Sequence, residues 1–402
     1  MSDTYGPAAP NGQPSAYDGI MWSNMPASAV RRPRLQIIIN GSVLSGCFAA
    51  SVSSNNHLAA DKWDASLAMD ADPDHDWAWW GSQGDITVDI QVGFIPDGQP
   101  EGSISNWTSL VTGKVDDMHV DPVAGLVTLS GRDLTAAMID TKIQNAFANK
   151  TTSQILTQFA QEHSWTADVT PTTTLVGSYY KDEHDKLSLG NFSKQTSEWE
   201  LACYLARQED EDIWVDATGL HTKPSVDPGG ANAQVFPLFY VPREDFAPVP
   251  TVNMISDIKT ERSLTIAKDI RVTVKTWDSA HKSSYTKTVD GKGSITSGKG
   301  KGAAASMQTY VYVKPGLTTD QALAFAQKQA RILTLLERIV TIEMPGELNL
   351  TPRSLVSLSG TGTSWDQTYY VDTISRKISW DGGFTQTVRL KNSSPRTMTT
   401  VS

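Results

Sequence analysis

Cysteine is nearly absent from this chain: 402 residues contain only Cys47 and Cys203. Two are too few for a disulfide framework, and their apolar sequence surroundings read as buried thiols of a reducing compartment. Long apolar runs are missing as well. No window reaches the roughly 20 apolar residues of a membrane-spanning helix. Met1 to Met25 has neither the charged lead nor the apolar core of a signal peptide. The expectation is a soluble protein made in the cytoplasm with no stable membrane association. Positive charge is in deficit, 34 Lys and Arg against 44 Asp and Glu, for a net charge of −10. That balance argues against nucleic acid or an anionic membrane as the main partner.

Catalytic signatures are also lacking. The seven histidines, at 57, 75, 119, 163, 184, 221 and 281, show no zinc-motif spacing. No G-x-S-x-G elbow occurs, and Cys203 falls on the buried stripe of a predicted helix, so no nucleophile is marked. "GSITSGKG", Gly293 to Gly300, nearly spells a phosphate-binding loop. It ends in Gly300 instead of the hydroxyl residue that magnesium needs, and it runs on toward a strand where a helix is required. It reads as a low-complexity hairpin tip. "KDEHDK", Lys181 to Lys186, offers paired carboxylates of the glycosidase kind, but acidic loop clusters are common and spacing in sequence does not give the separation that matters. No catalytic residue, metal or cofactor is expected.

What is present is a rapid succession of β signals. "DKWDASLAM" alternates Trp63, Ala65, Leu67 and Met69 with Lys62, Asp64 and Ser66, the two-residue period of a half-buried strand. "RRPRLQIIING" begins a strand at Leu35, and "GDITVDIQVGFI", "SLVTGKVDDMHV" and "AGLVTLSGRD" are short, β-branched and bounded by turn residues. Between two of these lies "MDADPDHDWAWW", Met69 to Trp80. Asp70, Asp72 and Asp74 repeat the first ligand positions of a calcium loop, but His75 and Gly81 occupy the places of its Gly and its closing Glu. The stretch reads as a loop whose Trp77, Trp79 and Trp80 cover a core edge or an interface.

The period then becomes helical. Thr151, Thr152 and Ser153 are candidate caps before Ile155, Leu156, Phe159 and Ala160. Ser197 and Glu200 form a capping box before the stripe Trp199, Ala202, Cys203 and Ala206, with Leu205 at its edge. A hairpin-like "DIWVDATGLHTKP" comes next. β signals resume near Asp257, then a helix capped by Thr318 carries Leu323, Ala326, Ala330 and Leu333, and strands return to Leu390. Residues 1–29 are too rich in Pro, Gly, Ser and Ala to order by themselves. Lys282, Lys287, Lys292, Lys299 and Lys301, opposed only by Asp290, make one locally basic loop.

The run Ala124 to Val169, strand, Gly131-Arg132-Asp133 turn, short helix, then "F.N.T.SQI...FA..H", resembles the hub proteins at the distal end of phage tails, the late control gene D group, which are similar to the hub half of type VI secretion spikes. "NFSKQTSEWELACYLARQEDEDIWVDATGLHTKP" and the stretch from Leu317 to Ser394 resemble that family in the same order. The similarity covers roughly residues 35–392. Pro352 and Arg353 stand where the family usually carries Gly, and Arg376 where a His is common. Locally, Gly131 permits a tight turn, Asp133 can cap a helix beginning at Leu134, and Arg132 is free to pair across an interface.

The resemblance implies a β-rich α+β fold, with two tail-tube-like β-barrel domains flanking a smaller α+β middle region. The divisions expected are a flexible arm 1–34, β domain 35–146, middle domain 147–249, β domain 250–392 with a Lys/Gly-rich loop at 282–303, and a tail 393–402. It implies a homotrimer that is a structural hub and not an enzyme, matching the hexameric tail tube to a trimeric spike or central fibre. Further partners would be the tape measure protein and other baseplate proteins, with DNA passing only transiently through the lumen. Its place would be the distal end of the phage tail, after assembly in the host cytoplasm. Interface candidates are Arg132, Asp133, Trp77, Trp79, Trp80, Lys299 and Lys301. The competing readings are a tail-associated peptidoglycan hydrolase and a carbohydrate-binding adhesin.

Overall fold

The computed structural model describes residues 32–392 apart from 57, 73, 96–98, 101–102, 105, 144–146, 148, 174, 177, 181–184, 188–196, 227–234, 241–256, 265–269, 279–282, 291–307 and 315–318. The arm (as far as residue 31), the Lys/Gly stretch 291–307 with Lys299 and Lys301, the phosphate-loop look-alike, Thr318 and the tail 393–402 thus lie outside the described residues, as does most of "KDEHDK".

The first block comprises β1 (Arg32–Ile39), β2 (Ser42–Leu44), β3 (Cys47–Asn55), β4 (Lys62–Ala68), α1 (Trp77–Ser82), β5 (Thr87–Ile95), β6 (Thr108–Asp121), β7 (Leu126–Asp133) and α2 (Thr135–Asp140). The middle region holds α3 (Thr152–Glu162), β8 (Ala167–Asp168), β9 (Ser178–Tyr180), β10 (Asp185–Leu187), α4 (Glu198–Glu209), β11 (Glu211–Asp216), β12 (Gly219–Pro224) and β13 (Val235–Phe239). Then come β14 (Asp257–Arg262), β15 (Ile270–Asp278), β16 (Ser283–Asp290), β17 (Gln308–Val313), α5 (Thr319–Thr334), β18 (Arg338–Pro345), β19 (Leu355–Ser359), β20 (Thr368–Ser379) and β21 (Gly383–Asn392).

One 13-stranded sheet runs through both β-rich blocks, in the order β14-β18-β21-β20-β3-β4-β7-β6-β5-β1-β2, with β19 joined to β20 and β13 to β19. The seam is antiparallel pairing of β20 with β3, from Thr373↔Asn55 to Ser379↔Ala49. Among the described residues this sheet is open, and no strand pairing closes a barrel. β4 shows why the register is fixed: Trp63, Ala65 and Leu67 are buried while Lys62 and Asp64 are exposed. A slip of one residue would exchange the two sets.

The middle region packs α3 and α4 against a small sheet, β11-β12-β8. Both helices begin with a reciprocal capping box, Thr151 with Gln154 and Ser197 with Glu200, satisfying backbone donors that have no partner within the helix. Ile155, Leu156, Phe159 and Ala160 meet Trp199, Leu201, Ala202, Leu205 and Ala206 in one core. Asp210 ends α4 in the left-handed region, and its carboxylate receives Arg331 of α5 at 2.6 Å, tying the middle region to that later helix.

β15, β16 and β17 form a separate sheet with α5 across it, around Val272, Val274, Ala322, Ala326 and Ala330. Here the sequence reading needs correction. The strands on either side of the hairpin-tip stretch do not pair with each other: β16 is antiparallel and β17 parallel to β15, one on each side. β16 and β17 are therefore not sheet neighbours.

The Met69–Trp80 stretch also differs from a plain loop. It is a 3-10 turn, Met69–Ala71, followed by α1, whose N-cap Asp76 accepts the backbone N–H of Trp79 at 2.8 Å. Asp72, one of the aspartates that resemble cation ligands, makes local contacts instead. Asp72 Oδ1 accepts the Asp74 N–H at 3.3 Å and lies 3.0 Å from His75 Nδ1.

Candidate assembly interface

The three tryptophans of α1 are divided by the helical turn. Trp80 is 2% exposed and locked into the core of the first block, whereas Trp77 is 61% exposed. Trp79 lies between them, edge-on to His75 at 4.2 Å and to Trp80 at 4.8 Å. Burying a ring the size of Trp80 contributes on the order of 4 kcal/mol in area terms. Of the three, Trp77 is the one left open to a neighbour.

Gly131, Arg132 and Asp133 close β7. Gly131 is not at a turn: a Cβ there would lie 2.0 Å from the carbonyl oxygen of Lys114 on β6 and 2.9 Å from the Trp63 ring. It is needed for close approach of backbones. Arg132 is not free. Its guanidinium donates to Asp116 at 2.7 and 2.8 Å and to Asp140 at 3.0 and 3.2 Å, bracing β6 and α2. The hydrogen bond from Arg132 holds the Asp116 carboxyl below the usual range. Asp133 is buried and acts one residue earlier than a cap. Leu134 occupies the N-cap position without a side-chain bond, while Asp133 Oδ1 accepts the backbone N–H of Thr135 at 3.2 Å and its hydroxyl.

Asp133 opens onto a cleft of about 410 Å³ where the first block, the middle hairpin β11–β12 and the segment before β19 meet. Its charged lining includes Asp61, Asp133, Asp212, Arg353 and Arg376. Burial, with the Asp133 charge adding to it, pushes the Asp61 carboxyl up to about 7, and burial pushes Asp133 up to about 6. Burial lowers the Arg376 guanidinium to about 10, opposed by Glu347 and Asp61. Arg376 donates to the carbonyl of Glu347 at 3.2 Å and to that of Leu350. Arg353 lies over the Trp214 ring at 3.3 Å, a cation–π contact. Pro352, Arg353 and Arg376 thus line one cleft.

Perturbed carboxyls in a cleft are a catalytic signal in general. Here they are engaged in holding the backbone. Asp61 Oδ1 accepts Asn55 N at 2.9 Å and Asn55 Nδ2 at 3.1 Å, and Asp133 accepts Thr135. Both brace the corner between β3, β4 and α2. Burial raises both cysteine thiols to about 12, so neither is an activated nucleophile. No group of three or more potential metal ligands occurs among the described residues, and no described helix is long and apolar enough to cross a membrane.

No known family model matches the chain, and no curated protein matches its sequence. Its fold does match solved structures. A tail protein from Neisseria meningitidis MC58 aligns over 90% of this chain and 96% of its own, at 14% identity and a TM-score of 0.60. The 43 kDa tail protein of prophage MuSo2 from Shewanella oneidensis aligns over 90% and 97%, at 14% identity and a TM-score of 0.58. A chain of the Francisella PdpA-VgrG complex aligns over 90% of this chain and 53% of its own, at 10% identity and a TM-score of 0.51. The chain therefore has the β-rich fold of phage tail proteins and of VgrG-type spike proteins.

Proposed function

We propose that this protein is the structural hub of a phage tail tip or baseplate, a homotrimer that adapts the hexameric tail tube to a threefold spike or central fibre. The observation that carries the proposal is the near end-to-end alignment with two tail proteins, 90% of this chain on at least 96% of theirs. The role is structural and not enzymatic, as for the tail proteins it resembles.

In this reading the two β-rich blocks, about 35–146 and 250–392, are two tube-like domains, and three chains present six such units around one axis. The seam of β20 with β3 is compatible with that plan, since it joins the two blocks by antiparallel strand pairing. A net charge of −10 suits a lumen that lets DNA pass without trapping it. The tail tube and spike proteins would be its stable partners, with the tape measure protein and other baseplate proteins beside them. Its location would be the distal end of the virion tail, after assembly in the host cytoplasm. Trp77, with Trp79 behind it, and the Lys299 and Lys301 loop are the interface elements.

Light scattering behind size exclusion tests the assembly. The expected mass is three times 43.7 kDa, with the spike partner present if not alone. A well-folded monomer under both conditions overturns the trimer.

A further inference from the structure

The strand register gathers four separate segments at one end of the long sheet. The β20–β21 turn meets the start of β3, where Ser379 pairs with both Gly383 and Ala49 and the Trp380 N–H donates to the Phe48 carbonyl at 3.0 Å. The start of β3 meets the end of β4 through Cys47↔Leu67, and Ala68 N donates to Gly46 O at 2.9 Å. The end of β4 meets the β6–β7 turn through Ala68↔Leu126, and Met69 N donates to Gly125 O at 2.8 Å. With strands roughly 4.8 Å apart, the turns of β20–β21, β3, β4 and β6–β7 make a rim about 25 Å long.

That rim exposes large apolar side chains. Trp380 is 91% exposed, Val123 97% and Phe48 41%, and Trp77, on the helix that follows the end of β4, is 61% exposed. Phe48 sits at the register shift between Cys47 and Ala49, and such a bulge re-aims a side chain out of the core phase. The hairpin tip carrying Trp380 is Asp381 and two glycines, so nothing from its own turn covers the ring. Single exposed apolar residues are ordinary, but several together on one rim mark a contact surface.

Charge says what kind. Residues 42–48, 69–82, 121–125 and 379–383 hold six aspartates and no lysine or arginine. Lys377, inside β20, is set back from the tip. Two such rims facing each other would repel, and the chain as a whole is acidic, with a net charge of −10, so a basic surface of a different protein complements the rim better than a second copy does.

We infer that this rim docks a different protein, one presenting an apolar pocket for Trp380 ringed by lysine and arginine. The inference rests on the hub reading and deepens it, since it says which end of the sheet meets the adjoining component of the tail and by what chemistry. Trp380 is the anchor, a large rigid ring in an otherwise small turn, and Phe48, Trp77 and Val123 widen the contact. The aspartates steer the approach and select against acidic surfaces.

Hydroxyl-radical footprinting of the purified chain and of the assembled tail particle tests this, followed by zero-length carbodiimide coupling of the particle. Oxidation of Trp380 and Trp77 should fall about tenfold in the particle, and couplings should join Asp381 or Asp76 to lysines of a different polypeptide. A chain absent from the particle overturns the hub reading and this inference with it. A chain present with Trp380 still open, or coupled there only to another copy of itself, overturns this inference alone. The double variant W380A/F48A removes side chains that lie outside the core, so its thermal midpoint should match the parent. Its incorporation into particles should drop about tenfold, the scale of one lost anchor, and parental incorporation counts against the anchor.

Discussion

The indole Nε1 of Trp199 donates to the backbone carbonyl of Leu58 at 2.8 Å, joining helix α4 of the middle region to the β3–β4 corner of the first block. Leu58 sits at φ +62, a left-handed conformation that is unfavourable for a branched-chain residue. Its carbonyl is held in place by that indole, with the Cys203 thiol 3.6 Å away as a second, weaker donor. Trp199→Phe keeps most of the ring volume and removes the donor. Unfolding in urea should show a loss of about 1–3 kcal/mol, the range for a buried acceptor left without its partner. Hydrogen exchange at residues 58–61 should quicken. An unchanged midpoint would mean that the two units do not depend on this bond.

Arg132 separates two accounts of the Gly-Arg-Asp corner. Its two carboxylate partners, Asp116 and Asp140, lie in its own chain, and its side chain is 27% exposed. Arg132→Lys retains the charge but cannot serve both carboxylates with a planar fork. We expect a loss of about 1–2 kcal/mol in monomer stability, between the values for exposed and for buried charged pairs. Oligomer mass should be unaltered. The opposite pattern, intact stability with failed assembly, would return Arg132 to an interface.

At Gly131 the constraint is steric. A methyl group would lie 2.0 Å from Lys114 O, and the ladder between β6 and β7 would have to part. Gly131→Ala should therefore destabilise by about 3 kcal/mol, near the top of the range for overpacking. Gly41→Ala serves as a control, because that turn glycine has nothing within 4 Å and only its positive φ to lose. If both cost the same, β6 and β7 are less tightly apposed than these distances imply.

How much of this could be read from sequence depends on range. The alternation in Lys62–Ala68, the candidate cap at Thr151 and the box at Ser197–Glu200 are local patterns, and the structure reproduces each of them. Short-range competition was harder: Asp76 caps a six-residue helix inside an acidic stretch where the repeated aspartates resemble cation ligands. That β16 and β17 lie on opposite sides of β15 depends on which strands pair, and periodicity does not carry pairing. The same holds for the sites. Trp380 meets Phe48, and Arg376 meets Asp61, only because β20 pairs with β3 more than 300 residues away. Arg353 and Arg376 were visible as departures from a pattern, but their shared cleft was not.

That cleft predicts an inverted pH dependence. Asp61 is raised to about 7 and Asp133 to about 6, both chiefly by burial, whereas in the unfolded chain both would titrate near 4. Between these limits the folded state binds more protons than the unfolded state, so this contribution is full below pH 4 and is lost as pH rises through 6 and 7. Stability should fall from pH 5 to pH 8 by on the order of 2–4 kcal/mol for the pair together. The scan stays above pH 5 because Asp116 and Asp168, held low by Arg132 and by Lys223 with His221, begin to lose their own contribution on further acidification. Asp61→Asn mimics the protonated carboxyl and still accepts from Asn55, so it should flatten most of the slope and raise stability at pH 8. Urea unfolding at pH 5, 6.5 and 8 for the parent and the variant reads both effects. Parental stability that rises with pH over this window would mean that both carboxyls are ionised in the folded protein and that Arg376, not burial, governs the cleft.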